Sequence, residues 1–155
     1  MTTPPAGKPP VYSTVTWTEN ETFRAETPTG GVLTMDGHAR VGQSPPEVLL
    51  SALGGCASVD VVAILRKRRT PASRVEVRLS GQRITASAPR FVAIELDFHI
   101  DGVGIERDAA EHAVDLAVSK YCTVKDSLDP AITFAWRLVL NGERGVDHDA
   151  TGRPA

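Results

Sequence analysis

A chain of 155 residues, 41% hydrophobic and 23% charged, has the make-up of one ordinary globular domain and is long enough to bury about 70% of its unfolded surface. Lys and Arg number 17 against 19 Asp and Glu, and the resulting net charge of −2 gives no field for nucleic acid or an anionic membrane to bind. Two cysteines are too few for a disulfide scaffold. Residues 1–10 hold one Lys and no apolar core, so they read as a flexible arm and not a signal peptide. No stretch is expected to span a membrane, and a cytoplasmic chain follows, in which cysteines stay reduced unless they do redox chemistry or bind metal.

Three short β-type runs come first, at 11–17, 22–26 and 31–35, separated by turns at Asn20 and at Pro28-Thr29-Gly30-Gly31. They predict an antiparallel meander. A loop holding Gly37 and Gly42 leads to a clean helix start: Ser44 as N-cap, Pro45 at the first helical position, and Glu47 completing a capping box. The helical pattern runs to about Arg69, closed by Arg66-Lys67-Arg68-Arg69, where cations suit a helix C-terminus. Its middle, 48–65, carries a single charge, Asp60, which predicts a helix buried on nearly all sides. Pro71 ends it.

Two alternating strands follow, one on Val75, Val77 and Leu79, the other on Val92, Ile94, Leu96, Phe98 and Ile100. An amphipathic helix is predicted over 108–120, with Ala109, Ala113, Leu116, Ala117 and Lys120 near one face. Thr123 opens another helical turn or two, ending near Asp129-Pro130. A last strand runs over 132–140, and residues 143–155 read as a flexible tail. The order β-β-β-α-β-β-α-α-β, with strands grouped apart from helices, predicts an α+β fold.

The chemistry centres on Cys56, in the apolar helix, and Cys122, at or just before a helix start. A free thiol has a pKa near 8.5, so a working nucleophile needs a positive neighbour, a hydrogen-bond donor or a helix N-terminus. Cys56 lies about three turns into its own helix, too far for that terminus to help. Gly54-Gly55 costs the helix roughly 2 kcal/mol against two alanines, which calls for close packing or a bend beside the thiol. Glu47 and Cys56 are nine residues apart, on opposite faces of a straight helix. Cys56 taken alone also suits plain core filling.

The segment Ser44-Pro45-Pro46-Glu47-Val48-Leu49-Leu50-Ser51-Ala52-Leu53-Gly54-Gly55-Cys56 resembles the cysteine helix of the OsmC/Ohr family of osmotically inducible and organic-hydroperoxide-resistance proteins. Its continuation to Lys67, and Val114-Asp115-Leu116-Ala117-Val118-Ser119-Lys120-Tyr121-Cys122-Thr123-Val124, resemble the YhfA-like branch. The resemblance covers 11–142 as one OsmC-like domain. It implies an intertwined homodimer, its antiparallel strands wrapping two long buried central helices, with active sites at the interface. It also implies a thiol peroxidase for oxidative-stress defence. Cys56 would attack the O–O bond of an organic hydroperoxide (or of hydrogen peroxide) and become a sulfenic acid. Cys122 would resolve it as a disulfide, and an external dithiol would reset the pair, with no cofactor. Glu47 matches the family's helix Glu and would be the third catalytic residue beside Cys56 and Cys122, although its spacing to the cysteine is nine here instead of ten. The family's Gly-Gly-Arg is absent. Arg24 lies three residues beyond the aligned position, held by Glu21, so the Arg role is not carried over.

Other chemistries have less support. His38, His99, His112 and His148 show no short metal-ligand spacing, and no Gly-x-Ser-x-Gly occurs. A non-catalytic redox-sensing or small-ligand-binding protein on the same fold is the main alternative, although 5% aromatic residues favour no large aromatic-lined pocket.

Overall fold

A computed structural model describes residues 7–151. The chain divides into two compact units, Met1–Val48 and Leu49–Ala155. Residues 7–10 have no regular structure and are exposed; the rest of the expected arm and residues 152–155 lie outside the described residues.

The first unit holds the meander: β1 (Thr14–Glu19), β2 (Thr22–Glu26) and β3 (Val32–Asp36), paired antiparallel in that order. Asn20 makes the first turn with a φ of 46°, a region Asn tolerates. The register aligns Val15, Ala25 and Leu33 across the sheet, and beside them Trp17, Phe23 and Met35. Side chains alternate faces along a strand, so these six share one apolar face. Much of it is open: Trp17 is 63% exposed and Val15 55%. After β3 the Asp36 carboxylate accepts the backbone N–H groups of His38, Arg40 and Val41, which fixes the loop into the helix.

Helix α1 spans Pro45–Lys67 and begins where the sequence predicts. The Glu47 carboxylate accepts both the backbone N–H and the hydroxyl of Ser44, each at 2.7 Å. In the second unit α1 buries one face only, through Leu53, Gly54, Ala57, Val61 and Leu65. Val59, on the opposite side, is 69% exposed. The expectation of burial on nearly all sides is therefore corrected for the single chain: one sheet and one crossover cover one side of a cylinder. The expectation that no stretch suits a membrane is corrected too, because α1 is long and apolar enough by length and composition to cross one. Its packing fits a core helix, with Leu53, Ala57, Val61 and Leu65 fully buried in the same cluster as Ile94, Phe98 and Leu138.

Gly54 owes its place to that packing. A Cβ there would stand 2.6 Å from Leu79 Cδ1 and 3.0 Å from Val77 Cγ1, so the helix backbone rests directly on the strand that carries these two residues. A Cβ on Gly55 would meet nothing within 4 Å.

The second sheet is β4 (Arg74–Arg83), β5 (Phe91–Asp101), β6 (Thr133–Leu140) and β7 (Glu143–Asp149), in that order. Where antiparallel strands are expected throughout, β5 and β6 pair in parallel. The physical reason is the crossover between them, α2 (Arg107–Asp115), a π-helix (Leu116–Tyr121) and α3 (Thr123–Asp126), which brings the chain back to start β6 at the same end as β5. The crossover buries Ala110, Ala113, Val114, Ala117 and Val118, a face shifted from the one predicted; Ala113 and Ala117 belong to both.

Residues 143–149 are a strand and not a tail. Asn141 and Gly142 both have positive φ, 49° and 84°, and form the tight hairpin turn that an Asn-Gly pair favours. The Asn141 side chain also receives the Gly102 N–H and donates to the Gly102 carbonyl. Strand β7 escapes hydrophobic patterning because it is a mostly exposed edge. Specific contacts hold it: Arg137 pairs with Asp147 at 3.0 Å, and His148 stacks on Trp136 with ring centroids 3.9 Å apart.

Candidate functional site

Cys56 is half-buried on α1, against the core cluster, and Cys122 is buried at 3% exposure. The fold brings the two thiols together within one chain. Cys122 donates its S–H toward the Leu53 carbonyl at 3.9 Å, one helical turn before Cys56, and the two cysteine side chains are near enough to influence each other's ionisation. Both sulfurs are free thiols.

Local structure explains the placement of Cys122. The π-helix 116–121 winds more widely than an α-helix and ends at Cys122, whose extended backbone (φ −69°, ψ 95°) turns the chain into α3. Cys122 is the N-cap of α3, and its sulfur accepts the Lys125 backbone N–H at 3.4 Å. The N-cap was legible in the sequence, as the residue just before Thr123. The π-helix carries no comparable signal, because it follows from how the crossover fits its core.

Burial is the main cause that pushes the Cys122 thiol up to about 11, and the Cys56 side chain raises it further; the Lys125 and Val124 N–H groups pull the other way. The sign for stability follows from proton counts. Between about pH 9 and pH 11 the unfolded chain releases a proton from Cys122 that the folded chain keeps, so stability falls as pH rises through that window. Denaturant unfolding of the reduced protein from pH 8 to 11 is expected to lose stability more steeply than the same series on Cys122→Ser. Equal slopes would show that the burial of this thiol is not linked to folding.

Glu47 sits in the first turn of α1, and its carboxylate is held below its ordinary range by the Ser44 hydroxyl and N–H. Arg24 is an exposed strand residue paired with Glu26 at 2.8 Å. Among the described residues, no three His, Cys, Asp or Glu side chains group as metal ligands would.

The class of protein is defined by its parts: a two-layer α+β unit whose core helix and crossover turn each carry a free thiol. The particular family is shown by comparison: the chain belongs to the OsmC family, whose description, OsmC-like protein, matches residues 36–137. It is 38% identical over 128 residues to protein YhfA of Escherichia coli strain K12, covering 81% of this chain and 96% of that one. Among solved structures, the OsmC-like protein of Mycoplasma pneumoniae superposes with a TM-score of 0.75 at 18% identity, covering 86% of this chain and 99% of the other. The organic hydroperoxide resistance protein OhrB of Bacillus subtilis gives 0.55 at 13% identity, covering 85% and 98%. The fold and family expected from the cysteine helix are thereby shown.

Proposed function

We infer that this protein is a thiol-dependent peroxidase of organic hydroperoxides, serving oxidative-stress defence in the cytoplasm. The observation that carries the reading is the placing of the free thiols Cys56 and Cys122 beside each other within a single chain of the OsmC family. The half-buried Cys56 is the peroxidatic residue. Its thiolate attacks the terminal oxygen of the hydroperoxide; the S–O bond forms as the O–O bond breaks, leaving a sulfenic acid and an alcohol. The Cys122 sulfur then attacks the Cys56 sulfur, expels the hydroxyl as water, and closes a disulfide. An external dithiol returns both to thiols. Glu47 enters as the cap of the cysteine helix. The cycle calls on no metal, flavin or haem.

The same reading includes a homodimer. The outward side of α1 around Val59 and the apolar face of the meander are surfaces that a lone chain leaves in water. A second copy, wrapping strands over paired helices, covers both.

A free-thiol titration of the reduced protein, before and after one equivalent of cumene hydroperoxide or hydrogen peroxide, tests the peroxidase. Two thiols are expected to disappear together, faster with the organic peroxide. Survival of both thiols for minutes with either oxidant would move the function to sensing or ligand binding.

A further inference from the structure

Resting on the peroxidase reading, we propose that Cys122 is also the general acid of the first step, giving its S–H proton to the alkoxide that leaves when Cys56 attacks the hydroperoxide. A resolving cysteine needs only to reach a sulfenic acid after it has formed. The structure places Cys122 beside Cys56 beforehand: it is buried at 3% exposure in the cluster against which Cys56 packs, and its sulfur lies 3.9 Å from the carbonyl oxygen of Leu53, one helical turn before Cys56. The proton is thus already held one helical turn from Cys56, on a side chain shielded from water.

The step balances. The Cys56 thiolate takes the terminal hydroxyl of the hydroperoxide and becomes a sulfenic acid, while the O–O electron pair leaves on the alkoxide. That alkoxide takes the Cys122 proton and departs as the alcohol, leaving a Cys122 thiolate. This thiolate attacks the Cys56 sulfur, the disulfide forms as the S–O bond breaks, and the hydroxide that leaves takes up a proton from the buffer, the counterpart of the one Cys56 released on forming its thiolate. An alkoxide is a far stronger base than a thiolate, so the proton moves downhill. A thiol pushed up to about 11 by burial stays protonated until the alkoxide appears, and the Lys125 N–H at 3.4 Å from its sulfur then stabilises the new thiolate. One proton transfer therefore completes the first step and arms the nucleophile of the second.

The test compares Cys122→Ala and Cys122→Ser with the full wild-type chain in a single turnover without reductant. It follows cumene hydroperoxide loss and trapping of the Cys56 sulfenic acid by a dimedone-type probe. Neither variant can resolve, so both report the first step alone. Loss of the acid is expected to slow sulfenic acid formation in the alanine variant by about 100-fold. Serine keeps a weaker O–H donor at the site and is expected to be about tenfold faster than alanine. The wild-type first step should also run about twofold slower in heavy water, a readout that depends on no variant folding. Equal first-step rates in wild type and the alanine variant, equal slowing in both variants, or no solvent isotope effect would each overturn the proposal. If the wild type itself consumes no hydroperoxide and traps no probe, it is the peroxidase reading that fails.

Discussion

Replacing Cys56 by serine is expected to abolish hydroperoxide turnover, lowering it by at least about a thousandfold. A serine hydroxyl is not ionised near neutral pH and is a poor nucleophile toward a peroxide oxygen. The neighbouring thiol cannot stand in. With its pKa pushed up to about 11, Cys122 lies four units above pH 7, so only about one molecule in ten thousand carries its thiolate. An ordinary thiol holds a few per cent. Cys122 is also buried at 3% exposure, whereas Cys56 is half-buried and can meet a substrate. Peroxide consumption coupled to a dithiol reductant reads the result. Full activity in Cys56→Ser would remove this cysteine from the mechanism and with it the assignment of roles between the two.

Val59→Asp is expected to yield a monomer, with the dimer weakened by at least about a hundredfold, equivalent to some 3 kcal/mol. Val59 is 69% exposed in the single chain, on the side of α1 away from Leu53, Ala57, Val61 and Leu65. Beside it, Gly55 has no atom within 4 Å of where a Cβ would stand, so a second backbone has room to approach. A carboxylate added to that surface costs little in a monomer and several kcal/mol once a partner covers it. Sedimentation or light scattering over a concentration series measures the change. Val59→Ala is the milder companion and should retain the dimer. An aspartate variant that stays dimeric at micromolar concentration would mean that the covered surface lies elsewhere. A monomeric wild type would leave α1 without the second copy that the family resemblance implies.

Local chemistry made much of this fold legible from residues alone. Ser44, Pro45 and Glu47 fix the start of α1, because a cap depends on neighbours three residues apart; the hydrogen bonds from Ser44 to Glu47 are the result. Strict alternation over Val92, Ile94, Leu96, Phe98 and Ile100 marks β5, of which Ile94, Leu96, Phe98 and Ile100 are buried. The Asn141-Gly142 turn was also present as a signal, and it is stronger than the polar composition that makes 143–149 look like a tail. The two cysteines, each in a distinctive setting, point to thiol chemistry and to the family.

Tertiary structure decided the rest. Whether Cys56 and Cys122 meet depends on a crossover that returns the chain to α1 across 66 residues, a long-range fit that no local pattern encodes. The parallel pairing of β5 with β6, and the π-helix that turns Cys122 inward, follow from the same crossover. The single buried face of α1 follows from how much surface one sheet can cover. Sequence determined which groups are candidates for the chemistry, because residue type sets nucleophilicity and capping. Only the folded chain decided which thiol is shielded and which is open, because burial and hydrogen bonding are properties of neighbours brought together in space.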